Sequence, residues 1–244
     1  MIRLPLLQAE RPDDFPDPAH ALAEPNGLLA FGGDLSPRRL LAAYAQGIFP
    51  WYSEGQPILW WSPDPRCVFD VDTLRPNRSL RRALARTPWQ VSVDRAFRDV
   101  IEACAAPRGD DDATWIVPAM IDAYVELHRL GHAHSVEVWD GPRLVGGIYG
   151  VAIGRLFCGE SMFSRESNGS KVALMALAAR LRRWGCPWID AQVPNPHLMA
   201  LGAREIPRDT FLATADRLCG MAPDARAWND RSLHPAMALL RPGD

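Results

Sequence analysis

The spacing of apolar residues changes several times along the chain, and each change marks an element. Residues 1–25 are rich in proline and acid and predict an extended lead-in. Leu40, Leu41, Tyr44 and Ile48 then recur at helical spacing. Ser36 as cap, Pro37 at the first helical position and Gly47 as stop predict a helix with body Arg38–Gln46. A short strand is expected near Cys67–Val71. Asn77 or Ser79 should open a basic helix to about Arg86, Trp89–Val93 alternates like a strand, and Asp94 is placed to cap a helix to about Ala106. Pro107–Thr114, with Asp110, Asp111 and Asp112, predicts an exposed loop, followed by a helix over Pro118–Leu130 that Gly131 ends. His134–Trp139, Arg143–Ala152 and Arg155–Gly159, separated by turns at Asp140-Gly141 and Gly154, predict a three-stranded antiparallel meander. A helix over Lys171–Trp184, a strand over Trp188–Val193 and a closing helix over Pro207–Cys219 complete the pattern.

This order predicts an α+β fold: a small N-terminal domain (1–65) and a C-terminal domain (66–244) with a mostly antiparallel sheet. A long helix after the central strands makes the second domain similar in topology to GNAT-type acyltransferases, a likeness that carries no activity by itself. A chain of 244 residues with 48% hydrophobic content can bury a sizeable core. No apolar run approaches the roughly 20 residues of a membrane span, and Pro5 interrupts the short apolar opening, so no secretory signal is read there. Five scattered cysteines without a C-x-x-C pair argue against a disulfide framework or a structural zinc site. The expectation is a cytoplasmic protein with no membrane association.

Charge adds one local feature. Net charge is −2, but residues 75–108 hold eight arginines against Asp94, Asp99 and Glu102, a net of +5. Arg78, Arg81 and Arg82 on the basic helix can face a phosphate backbone or simply form a solvated helix face. The segment Phe49–Trp61 crowds five aromatic residues beside Pro50, Pro57, Gly55, Ser53, Glu54 and Gln56. Rings braced by prolines suit stacking on nucleobases, and they equally suit an aromatic core under a loop.

Candidate chemistry is concentrated late in the chain. Asp190 and Gln192 sit two apart on a predicted strand, where both side chains share a face. Such a carboxylate and amide can polarise an amine and orient a carbonyl, or they can satisfy backbone groups at the strand end. Glu160, at the end of the meander, can anchor an ammonium group or lie free on the surface. The segment Arg165-Glu-Ser-Asn-Gly-Ser is a degraded version of the glycine-rich phosphate loop of a CoA enzyme, and it is not a Walker loop. The six histidines show no triad partnering and no metal-ligand spacing, so no metal is expected.

Taken together, Gly27–Pro37, Tyr44–Tyr52, Ile58–Arg66, Gly131–Trp139, Gly146–Gly150, Phe157–Arg165 and Ile189–Val193 resemble leucyl/phenylalanyl-tRNA–protein transferases, from about residue 27 to about residue 212. The resemblance implies transfer of Leu or Phe, less readily Met, from aminoacyl-tRNA to the α-amine of proteins that begin with Arg or Lys. The product would carry a degradation signal of the bacterial N-end rule. It implies no cofactor, a monomer, and partners limited to aminoacyl-tRNA and the acceptor protein. It assigns Trp51 and Trp115, with Tyr44 and Tyr124 nearby, to the 3′-terminal adenosine. Glu160, Asp190 and Gln192 fall at the reaction centre. Ile148, Phe157, Leu174, Leu177, Leu181 and Ile189 form the pocket for the amino-acid side chain. Two rivals share parts of the pattern: a CoA-dependent N-acetyltransferase and a non-catalytic RNA-binding module.

Overall fold

The computed structural model describes residues 4–107, 115–223 and 228–240, so the predicted loop around Asp110–Asp112 lies outside the described residues. The chain opens with β1 (Leu6–Leu7), a 3₁₀ turn (Pro18–His20) and β2 (Leu28–Gly32), then α1 (Pro37–Ala45), β3 (Phe49–Pro50) and β4 (Leu59–Trp61). These strands form a small sheet in the order β1-β2-β4-β3. Then follow β5 (Arg66–Asp70), α2 (Arg78–Leu84), β6 (Gln90–Val93), α3 (Phe97–Ala105), α4 (Pro118–Arg129), β7 (Ala133–Asp140), β8 (Arg143–Ile153) and β9 (Leu156–Ser164). The remainder is α5 (Gly169–Arg183), β10 (Trp188–Gln192), α6 (Pro196–Ala200), β11 (Arg204–Ile206), α7 (Arg208–Cys219), β12 (His234–Pro235) and a 3₁₀ turn (Ala236–Leu240). The second sheet has eight strands in the order β11-β5-β10-β9-β8-β7-β6-β12.

The fold is α+β, as the pattern predicts. Its one parallel pairing among the described strands of the large sheet joins β9 to β10, with Phe157 opposite Ile189 and Cys158 opposite Asp190. That ladder stops there, and both strands bulge just beyond it. Glu160 is the extra residue on β9, because Ser161 pairs with Tyr149 and Gly159 with Gly150. Ala191 is the extra residue on β10, because Asp190 pairs with Val68 and Gln192 with Cys67. Bulges re-aim side chains and are frequent beside active sites. Here they turn Glu160 and Gln192 toward the same space.

Two apolar clusters hold the layers. One contains Leu29, Tyr44, Trp60, Phe97, Tyr124, Tyr149 and Phe211, so the small sheet and α1 share a continuous core with α3, α4 and α7. The other lies between the large sheet and α5 and includes Phe69, Val93, Val138, Ile148, Phe157, Leu174 and Leu177. No helix of the described residues is long and apolar enough to cross a membrane.

Several local expectations are corrected. Asp94 does not cap α3, which starts at Phe97 behind Ala96 without a side-chain cap. Asp94 instead adopts a left-handed φ of 53°, and its carboxylate accepts from the Ser135 amide at 2.9 Å and pairs with His134 Nδ1 at 2.7 Å. Asn77, one of two candidates, does cap α2, accepting from the Leu80 amide. β9 continues to Ser164 rather than ending at Gly159, since Ser161–Ser164 keep pairing with β8 through the polar stretch. Ser36 precedes α1 without a side-chain cap bond.

The start of α5 presses on β8. A Cβ on Gly146 would fall 2.4 Å from the Gly169 carbonyl carbon, and one on Gly169 would fall 2.5 Å from the Val145 oxygen. Neither backbone atom can retreat without moving an element. Gly146→Ala is therefore expected to destabilise the fold by about 3 kcal/mol, the upper end for overpacking, read as a lower urea midpoint. An unchanged midpoint would show that the close approach of α5 to β8 is wrong.

Candidate active site

Glu160, half-buried, is the centre of a hydrogen-bond group. The Tyr124 hydroxyl donates to its Oε2 at 3.1 Å, and the Gln192 Nε2 donates to its Oε1 at 3.0 Å. The hydroxyl of Tyr44, from α1, meets that of Tyr124, from α4. Both tyrosines are at most 1% exposed, and burial pushes both hydroxyls well above the usual phenol range. They act as hydrogen-bond donors and not as acids. Burial also raises the Glu160 carboxyl to about 7, against the opposing pull of the two tyrosine hydroxyls. A carboxyl poised there can change its charge near neutral pH, as a proton acceptor requires.

Asp190 has a different setting. It is fully buried, and Arg66 grips it twice, Nε to Oδ1 at 2.8 Å and Nη2 to Oδ2 at 2.7 Å. Its Oδ1 also accepts from the backbone amide of Gln192 at 3.0 Å. That bond holds Gln192 at a left-handed φ of 54°, a costly conformation for a non-glycine residue. Arg66 is itself enclosed: Nη1 donates to the Gly47 carbonyl at 2.9 Å, and the guanidinium lies over the rings of Phe49 and Phe211 at 5.0 and 4.5 Å. A carboxylate so committed orients Gln192 and has no free face toward a substrate. The sequence reading passed over Arg66, although an arginine opening the apolar run Cys67-Val68-Phe69 signals a buried cation that needs a partner.

Two clefts meet at Glu160. One, of about 300 Å³, is lined by Trp51, Trp115, Glu160, Gln192, Asn195 and Leu198 among others. The second, of about 760 Å³, shares Trp115, Glu160, Asn195 and Leu198 and adds Met162, Ser164, Arg165 and His197. The aromatic segment combines both of its readings. Phe49, Tyr52 and Trp60 are buried, whereas Trp51 is 41% exposed. Trp61 braces Trp51, with ring centroids 5.6 Å apart and its Nε1 donating to the Trp51 carbonyl at 2.7 Å. Tyr44 and Tyr124 are not among the residues that line either cleft; they stand behind Glu160.

Ile148, Phe157, Leu174, Leu177, Leu181 and Ile189 all fall in the cluster beneath α5, none more than 5% exposed. Arg78, Arg81 and Arg82 are exposed on α2 and line neither cleft. The start of α5 is already occupied. The Gly169 amide donates to the Glu166 carbonyl and the Ser170 amide to the Ser164 hydroxyl, at 2.9 and 2.8 Å. β8 packs against Gly169, and the second cleft reaches Ser164, Arg165 and Ser170 beside this helix end.

Comparison with known proteins identifies the family. Residues 68–216 match the family model for leucyl/phenylalanyl-tRNA protein transferase, and residues 33–64 match that family's N-terminal domain. A leucyl/phenylalanyl-tRNA–protein transferase of Xanthomonas euvesicatoria pv. vesicatoria is 62% identical over 218 residues, covering 89% of this chain and 87% of the relative. Another, from Xanthomonas axonopodis pv. citri, is 61% identical over 236 residues, covering 96% and 95%. A third, from Shewanella denitrificans, is 52% identical over 221 residues, covering 91% and 94%. Among solved structures, a conserved protein of unknown function from Bacteroides thetaiotaomicron matches at 9% identity and a TM-score of 0.34, over 72% of this chain and 59% of that one. The chain belongs to the leucyl/phenylalanyl-tRNA protein transferase family and is an aminoacyltransferase.

Proposed function

We propose that this enzyme transfers Leu or Phe, and less readily Met, from aminoacyl-tRNA to the α-amine of proteins that begin with Arg or Lys. The product is a protein marked for N-end rule degradation in the cytoplasm, and the enzyme acts as a monomer. The observation that carries this reading is the junction of two clefts at Glu160, one edged by Trp51 and Trp115. An acyl transfer between two large substrates needs such a meeting point.

In this account Trp51 and Trp115 hold the 3′-terminal adenosine between their rings. The amino-acid side chain enters the pocket of Ile148, Phe157, Leu174, Leu177, Leu181 and Ile189. Arg78, Arg81 and Arg82 neutralise tRNA phosphates without reading sequence, and residues 1–65 form the domain that presents Trp51. The acceptor enters as an ammonium ion and gives a proton to Glu160, while the Gln192 Oε1 accepts a hydrogen bond from the resulting amine. Its nitrogen attacks the ester carbonyl, and collapse of the tetrahedral intermediate breaks the C–O bond to the ribose. The departing 3′ oxygen takes up the second proton, which the attacking nitrogen releases as the amide forms. The ester is already activated, so the protein's task is positioning, which supplies several kcal/mol, together with moving one proton. Asp190 contributes by fixing Gln192. A tight apolar pocket rejects β-branched side chains by shape, at about 1–3 kcal/mol per misplaced methylene.

The reaction is tested by transfer of radiolabelled Leu from Leu-tRNA to an Arg-initiated protein, beside a Gly-initiated control, without ATP or CoA. Label on the Arg-initiated protein alone is expected; equal label on both, or none, refutes the acceptor rule or the reaction.

A second expectation concerns pH. Glu160 is protonated below about 7 and ionised above it, so kcat should rise through about pH 7 as the acceptor form appears. Glu160→Gln should lose this limb, keep any limb of the acceptor amine near its ordinary pKa of about 8, and lower kcat by roughly 100-fold or more. A pH profile identical in wild type and Glu160→Gln removes Glu160 from proton transfer.

A further inference from the structure

Trp228 has no part in the reading above, yet its ring makes three aromatic contacts. It stacks on His134 with centroids 4.1 Å apart and planes within 6°. It lies 5.6 Å from the ring of Phe157 at 30° and 4.9 Å from that of Trp184, which follows α5. Phe157 belongs to the proposed side-chain pocket, and Leu181 of that pocket precedes Trp184 by about one helical turn. Trp228 therefore packs on the pocket's cluster where α5 ends.

The ring is held from several directions. Both nitrogens of its stacking partner are engaged, His134 Nδ1 with Asp94 Oδ2 at 2.7 Å and Nε2 with the Gly131 carbonyl at 3.2 Å, so that imidazole cannot swing aside. Trp228 has a left-handed φ of 66°, which for a bulky residue persists only where surrounding contacts over-determine it. Beyond it the chain is fastened again. His234 and Pro235 pair with Val91 and Gln90 of β6, the Ala236 amide donates to the Trp89 carbonyl at 2.9 Å, and Ala236 is buried in the same cluster.

We propose that Trp228 is a specificity-determining residue: its indole forms the end wall of the amino-acid pocket, beside Phe157, and limits the size of side chain that is transferred. The proposal rests on the pocket assignment made above. A wall supplied by the C-terminal segment, rather than by the sheet or α5, can be changed without rebuilding the core. Truncating it opens space next to Phe157 and favours the larger substrate, and a hydrophobic pocket distinguishes side chains by about 10- to 200-fold per methylene-sized difference.

The test compares kcat/KM for Phe-tRNA and Leu-tRNA in wild type, Trp228→Phe, Trp228→Ala and Leu177→Ala, the last a pocket residue distant from the C-terminal segment in sequence. Trp228→Ala should raise the Phe:Leu ratio by about tenfold. Trp228→Phe, which keeps a ring against His134 and Phe157, should raise it by less and gives the answer if the alanine variant is unstable. A ratio unchanged in both Trp228 variants but shifted in Leu177→Ala overturns the role of Trp228 and leaves the pocket standing. A ratio unchanged in all three overturns the pocket assignment as well. Equal losses for both substrates in the Trp228 variants would make the residue structural and refute the proposal.

Discussion

The buried pair of Arg66 and Asp190 is the constraint on which the site depends. Each charge is removed from water, so each would be expensive alone, and breaking such a pair costs about 3–5 kcal/mol. The pair also joins parts of the chain that are far apart in sequence. From the Gly47 carbonyl the path runs through Arg66 to Asp190, through the Gln192 amide and side chain to Glu160, and on through Tyr124 to Tyr44. Tyr44 lies on α1, which ends just before Gly47, so the hydrogen bonds close on themselves. One circuit ties the segment that carries Trp51 to the two bulged strands that carry Glu160 and Gln192.

This circuit explains why two carboxylates in one site have separate tasks. Asp190 is gripped by a cation and saturated with donors, and so serves as a fixed part. Glu160 receives hydrogen bonds from an amide and a phenol rather than a cation's direct grip, and burial holds it near neutrality. Environment, not residue type, makes the division.

The larger elements were legible in the sequence because they carry enough periods to be read. The meander, the long helix α5 and the helix behind Pro37 all have clear apolar spacing and glycine stops. The small sheet was not legible: β1 and β3 have two residues each, too few for alternation. The bulges were equally hidden, since an extra residue leaves no compositional trace and depends on the register of the neighbouring strand. Hence Asp190 and Gln192 read as a matched pair on one face, although the bulge between them sends one to Arg66 and the other to Glu160. Asp94 read as a helix cap because local spacing cannot reveal that the Ser135 amide and His134, forty residues on, claim its carboxylate. The aromatic segment invited two readings because it contains both: Trp60 packs while Trp51 is displayed.

A double-mutant cycle between Tyr44→Phe and Arg66→Lys, read as kcat for Leu transfer, tests the closed circuit most directly, since one residue acts on Glu160 through Tyr124 and the other on Gln192 through Asp190. The account predicts that their effects couple by more than about 0.5 kcal/mol, the limit expected of independent sites, with tRNA affinity nearly unchanged. Strictly additive effects would mean that the two residues act separately and that the circuit does not organise the reaction centre.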